Sequence, residues 1–166
     1  MNLEAISDLA ELMDAQVVIL DDLCELGRKK TGLLVDNDLA GLEAVVKAEQ
    51  TLLWKLGRVE ERRYRQQLLL AEATAPGTVR LSELVRAAPG PLRQRLAALQ
   101  EHYGQSVAEL GRLNETNRRL IEQALSFVDF TLELIAAARG SGQTYTPAGK
   151  RKQPTEKGQP VLDSRA

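Results

Sequence analysis

Apolar side chains recur along most of this chain at alternating steps of three and four residues. This spacing places them on one face of an α-helix, so it predicts long helices rather than strands. The first helix is predicted over about 3–30, with basic residues 28–30 at its negative end and Thr31-Gly32 as its stop. Its apolar seam consists of Ile6, Ala10, Met13, Val17, Leu20 and Cys24.

A second helix is predicted to begin at the Asp-Asn-Asp sequence of residues 36–38, since all three side chains are suited to cap a helix start. It is expected to continue to about Ala73, and a short helix over 79–87, capped by Thr78, follows it. The apolar face predicted for the second helix comprises Leu39, Leu42, Val45, Val46, Leu52, Leu53, Leu56 and Val59.

The third long helix is predicted to begin at Pro91, where a missing backbone N–H costs nothing, and to run to about 138. Gly104 and Gly111 lie inside it, and each weakens it by about 1 kcal/mol relative to alanine. Three long helices with short connections predict an all-α fold, an elongated antiparallel bundle with one short additional helix.

The charge distribution divides the chain into a bundle domain, 1–139, and a basic tail, 140–166. Up to residue 138 there are 16 basic and 21 acidic side chains, whereas 139–166 carries 6 basic and 2 acidic ones. The tail is rich in Pro, Gly and Thr and is predicted to be disordered. Its positive charge leaves contact with nucleic acid or a membrane surface as an alternative, although the acidic helical body argues against a nucleic-acid-binding protein.

Nothing in the sequence indicates catalysis, a cofactor or a bound metal. The single histidine, His102, lacks partners at metal-ligand spacing and is predicted to lie on the surface. Cys24 is the only cysteine and is predicted to be a buried thiol in a reducing compartment. The N-terminus does not resemble a secretory signal, and no apolar run reaches the ~20 residues of a membrane span. We therefore expect a non-enzymatic protein of the cytoplasm without membrane insertion.

The most informative segment is 113–135, because two asparagines precede an unusually apolar helix. Asn117 falls on the apolar seam and Asn114 lies one turn earlier, where polar side chains can fix register and partner choice. The apolar residues that follow occupy two adjoining stripes, which is more surface than two partner helices obviously cover. They are Leu120, Ile121, Ala124, Leu125, Phe127, Val128, Phe130, Leu132, Leu134 and Ile135. A partner protein, the bundle core and a homodimer seam all remain open as explanations.

Three segments together resemble FlgN-type flagellar export chaperones. LGRLNETNRRLIEQALSFVDFTLELI, residues 110–135, is similar to the closing helix of that family, with its leucine–asparagine pair, second asparagine, leucine–isoleucine pair and later phenylalanine. DLAGLEAVVKAEQTLLWKLGRVEERR, residues 38–63, resembles the family's middle helix, and QTYTPAGK, residues 143–150, resembles the stretch that often follows the last helix. The resemblance covers most of residues 1–149.

The resemblance implies a cytosolic chaperone for the hook-associated proteins of the hook–filament junction. Such a protein would hold their terminal helices, prevent premature assembly and deliver them to the flagellar export apparatus. The implied client-binding residues are Asn114, Asn117, Leu120, Ile121, Leu125, Phe127, Val128 and Leu132. The alternative is a structural coiled-coil or adaptor protein that homodimerises through the 120–135 face.

Overall fold

The computed structural model describes residues 3–74 and 81–138, and every regular element in those ranges is an α-helix. The helices are α1 (Leu3–Val35), α2 (Leu39–Thr74), α3 (Leu81–Ala87) and α4 (Gly90–Ala138). The prediction of an all-helical fold is confirmed for these residues. Thr78 and the predicted tail, 140–166, lie outside the described residues, so the helix cap and the disordered tail stay predictions.

α1 extends five residues beyond its predicted last residue, 30, because Thr31 and Gly32 continue the helix. The helix ends instead at Val35, and Asn37, two residues later, adopts the left-handed backbone conformation with a φ of 55°. The N–H of Asn37 donates to the carbonyl of Leu34 (3.4 Å), and that of Asp38 donates to the carbonyl of Leu33 (3.0 Å). This pattern of bonds terminates helices efficiently because it satisfies their last carbonyls.

α2 begins directly after the α1–α2 turn. The Oδ1 atom of Asp38 accepts a hydrogen bond from the backbone N–H of Gly41 at 2.9 Å, so the predicted cap is present. A Cβ added at Gly41, in the first turn of α2, would lie 2.5 Å from Asp38 Oδ2 and 2.6 Å from Leu33 Cδ2, so a larger residue there requires these two side chains to shift.

The core is assembled mainly by α1, whose predicted seam is entirely buried. α2 contributes less than its sequence indicates, because Leu39, Val46 and Leu53 are exposed, and Val45 and Leu70 are its buried apolar residues within 39–70, where burial is described. The largest cluster of buried apolar side chains comprises Ile6, Leu9, Ala10, Met13, Val17, Leu70, Val85, Ala88, Leu96 and Leu99. The apolar face of α2 was thus predicted too broadly.

Polar pairs establish the directions of the long helices within residues 1–120. Lys30 Nζ lies 2.6 Å from Glu49 Oε2, and Gln66 Nε2 donates to the carbonyl of Ala5 at 3.2 Å, so α1 and α2 run antiparallel. α4 runs parallel to α1, because its bonds to Asp21 and Thr31 advance along both helices together. Consecutive long helices are therefore antiparallel, as a bundle requires.

The chain divides into two compact units, which are Met1–Leu120 and Ile121–Ala166. We call them unit 1 and unit 2. Every buried residue among those that the structure describes belongs to unit 1. The described part of unit 2 is the last portion of α4, 121–138. None of the helices in the described ranges is long and apolar enough to cross a membrane.

Candidate interaction surface

The described part of unit 2 exposes large apolar side chains to solvent. The exposed fractions range from 41% for Ile121 to 70% for Phe127. We call this set the apolar surface of 121–135, and its members are Ile121, Leu125, Phe127, Val128, Phe130, Leu132, Leu134 and Ile135. Contiguous exposed apolar side chains on this scale are typical of sites that bind another protein.

The apolar surface of 121–135 forms two stripes along the helix. The first stripe follows steps of four and three and consists of Ile121, Leu125, Val128, Leu132 and Ile135. The second stripe, Phe127, Phe130 and Leu134, follows the same spacing on another side of the helix, beyond Ala124 and Thr131. Because residues three and four apart are neighbours on a helix, each stripe is continuous. A partner helix could lie along either of them.

Polar side chains near these stripes satisfy their hydrogen bonds within the helix itself. The hydroxyl of Thr131, which lies between the two stripes, donates to the carbonyl of Phe127 at 2.8 Å. Ser126 donates to the carbonyl of Glu122 at 3.0 Å. Since the Thr131 hydroxyl is already bonded to the backbone, that residue can present its methyl group to a partner. The surface is thus suited to apolar contact.

The remaining predicted site residues, Asn114, Asn117 and Leu120, belong to unit 1. Asn114 is exposed and Leu120 is half-buried. Asn117 is only 2% exposed, and its Nδ2 donates to the carbonyl of Gly27 at 2.9 Å. The hydroxyl oxygen of Thr31 lies 2.7 Å from Asn117 Oδ1 and 3.0 Å from the Gly27 carbonyl oxygen, and its one hydrogen can be donated to either acceptor. The Asn117 amide therefore bonds inside the chain and fixes the register of α4 on α1.

A second polar group joins the same two helices about three turns earlier on α4. Asp21 accepts a hydrogen bond from the hydroxyl of Ser106 at 2.6 Å, and its other oxygen lies 3.1 Å from Nε2 of His102. The Cys24 thiol donates to the carbonyl of Ser106 at 3.4 Å, and burial raises the pKa of this thiol. Cys24 is therefore held as a neutral thiol, and its predicted burial is confirmed. The spacing of residues in the sequence does not predict these contacts, because they join residues more than 80 positions apart.

The surface of α4 before the apolar surface of 121–135 is highly charged. The guanidinium groups of Arg118 and Arg119 hydrogen-bond to Glu115 and lower the pKa of its carboxyl to about 2. Glu115 is therefore ionised at neutral pH, and the three side chains form a solvated network. Within the described ranges, no group of three or more His, Cys, Asp or Glu side chains could hold a metal ion. The described surface thus changes along α4 from charged to apolar.

Comparison with known proteins identifies the family of the chain. The family model described as "FlgN protein" matches residues 1–153. The chain is also 22% identical over 158 residues to "Uncharacterized protein YvyG" of Bacillus subtilis (strain 168), a match that covers 95% of this chain and 97% of the relative. No solved structure matches the chain. Because the family model matches nearly the whole sequence, the chain belongs to the FlgN family, a family of flagellar export chaperones.

Proposed function

We propose that this protein is a cytoplasmic chaperone that binds the terminal helices of flagellar hook-associated proteins. In this role it prevents their premature assembly and delivers them to the flagellar export apparatus. The observation that carries the proposal is the apolar surface of 121–135, with eight large side chains exposed on one helix. Membership of the FlgN family supports the flagellar role of that surface.

The energetics favour a client that covers both stripes. Fully burying one large apolar side chain stabilises a complex by about 1.5–3 kcal/mol. The five residues of the first stripe are each about half exposed, so a partner gains about 4–8 kcal/mol from covering them. Association itself costs about 4–15 kcal/mol. The client's own apolar side chains are buried as well and add to this gain, so one stripe offsets much of the cost and contact with the second stripe strengthens the complex.

The charges beside the surface define the client further. Residues 121–138 contain three acidic side chains, Glu122, Asp129 and Glu133, and no lysine or arginine. An amphipathic client helix with neutral or basic flanks suits this helix better than an acidic one. While such a helix lies on the chaperone, its own apolar face is unavailable for polymerisation. Release at the export apparatus frees that face again.

Calorimetric titration of the purified protein against the hook-associated proteins of its host tests the proposal. We expect one-to-one binding with a negative heat-capacity change, the signature of apolar burial. Leu125→Asp and Val128→Asp should each abolish binding, because a carboxylate has to be desolvated within an apolar interface. Circular dichroism should show that both variants remain helical.

Leu53→Asp is the matched control, since Leu53 is about as exposed as Leu125 but lies on α2 (54% against 59%). We expect the control to bind like the unmodified protein. Retained affinity in both α4 variants would exclude the proposed site. A tight homodimer that loses its association on Leu125→Asp, without any client binding, would instead support the adaptor alternative.

A further inference from the structure

Unit 1 contains a cavity of about 250 Å³ between its three long helices. Met13 and Gln16 of α1, Arg63 of α2, and Gln100 and Tyr103 of α4 line it. A water molecule occupies about 30 Å³ of the liquid, so the cavity has room for a small organic molecule. The proposed client binding uses the apolar surface of 121–135 and none of the residues that line this cavity.

Gln16 gives this cavity an unsatisfied hydrogen-bond donor. Its side chain is 1% exposed, and its Nε2 has no hydrogen-bond partner in the part of the chain that the structure describes. Buried amide groups are nearly always hydrogen-bonded, so this nitrogen calls for an acceptor. The last torsion of a glutamine side chain has broad minima, which allows the amide to turn towards a molecule in the cavity.

The other lining residues define the chemistry of that acceptor. The guanidinium of Arg63, whose side chain is 19% exposed, donates to Gln67 Oε1 at 3.0 Å and lies 4.0 Å from Glu60 Oε1. A guanidinium carries five N–H donors, so these two contacts leave capacity for a further acceptor. None of the five lining residues is acidic, and Met13 and Tyr103 supply an apolar wall.

We propose that this cavity binds a small carboxylic acid with an apolar body, in its ionised form. The carboxylate accepts hydrogen bonds from Gln16 Nε2 and from the Arg63 guanidinium. The apolar body packs against Met13 and Tyr103. The charge of Arg63, which Glu60 approaches only to 4.0 Å from the exposed side, the buried donor of Gln16 and the apolar wall together select this class over alcohols and amines.

Hexanoate is the probe, titrated into the full-length protein and followed by NMR of the Gln16 side-chain amide and the Met13 methyl group. We expect saturable one-to-one binding, and binding of hexan-1-ol weaker by about tenfold or more, because a hydrogen bond to a charged group is worth more than a neutral one. Gln16→Leu and Arg63→Met should each weaken hexanoate binding by about tenfold or more. Gln94→Leu, an exposed substitution of the same type on α4, should leave it unchanged.

A flat titration would mean that the cavity holds water only and would overturn the proposal. Binding of equal strength in the Gln16→Leu, Arg63→Met and unmodified proteins would overturn it as well, since hexanoate would then lie elsewhere. The Arg63 side chain is partly exposed, so Arg63→Met should fold even if Gln16→Leu does not. The titration of Arg63→Met then tests the proposal by itself. Hook-associated clients play no part in this titration, so its outcome is independent of the chaperone function.

Discussion

Asn117 shows what one residue of the candidate site does. Its position on the seam of α4 was predicted from spacing, and the proposed client contact of Asn114 and Asn117 stays a prediction. The partners of Asn117 inside the chain could not be predicted, because one of them is the backbone carbonyl of Gly27, which has no sequence signature. The other is the hydroxyl of Thr31, a residue that the sequence assigned to the end of α1.

Asn117→Ala should lower the free energy of unfolding by about 2 kcal/mol. The substitution removes two hydrogen bonds, the one from Asn117 Nδ2 to the Gly27 carbonyl and the one between Asn117 Oδ1 and the Thr31 hydroxyl, each worth about 0.5–1.5 kcal/mol. Urea unfolding followed by circular dichroism measures the change. Asn114→Ala is the matched control on the same helix, and because Asn114 is exposed we expect a change within about 0.5 kcal/mol. Equal effects of the two variants would contradict the assigned role of the amide.

At the scale of elements, periodicity predicted the long helices well and their ends less well. The start of α2 could be predicted from Asp38, because a capping residue acts through its own side chain. The end of α1 could not be, since Gly32 looked like a stop while the left-handed residue is Asn37. A helix end depends on which residue leaves the helical conformation, and packing against the next helix influences that choice. The predicted start of the short helix, residue 79, lies outside the described ranges and stays a prediction.

Two glycines inside the helices allow the effect of helix propensity on stability to be compared with the effect of packing. Gly111→Ala should stabilise the protein by up to about 1 kcal/mol, because alanine favours the helix and no atom lies within 4 Å of the added Cβ. Gly27→Ala should lose that gain, since its Cβ would lie 3.3 Å from Leu113 Cβ, which α4 holds firmly. Urea unfolding midpoints compare the two variants. A Gly27→Ala protein as stable as Gly111→Ala would show that α1 and α4 are packed less closely than described.

At the scale of the whole molecule, the hydrophobic pattern predicts which side chains are apolar but not what covers them. The seam of α1 and the residues of 121–135 have the same spacing, yet the first is buried and the second is exposed. Leu39, Val46 and Leu53 of α2 were expected to pack inward and are exposed as well. Burial depends on contacts between distant parts of the chain, and a single sequence does not specify them. The role proposed for the exposed segment therefore depends on the resemblance to a family and not on the pattern alone.

Deletion of residues 121–166 should separate folding from client binding. All the buried residues that the structure describes lie within unit 1, so the truncated protein should still unfold cooperatively with a similar urea midpoint. It should not bind hook-associated proteins, because it lacks the apolar surface of 121–135. Deletion of 140–166 alone is the control and should retain binding. A truncated protein that is largely unfolded would instead mean that 121–138 stabilises the bundle, and the apolar side chains there would then belong to the core.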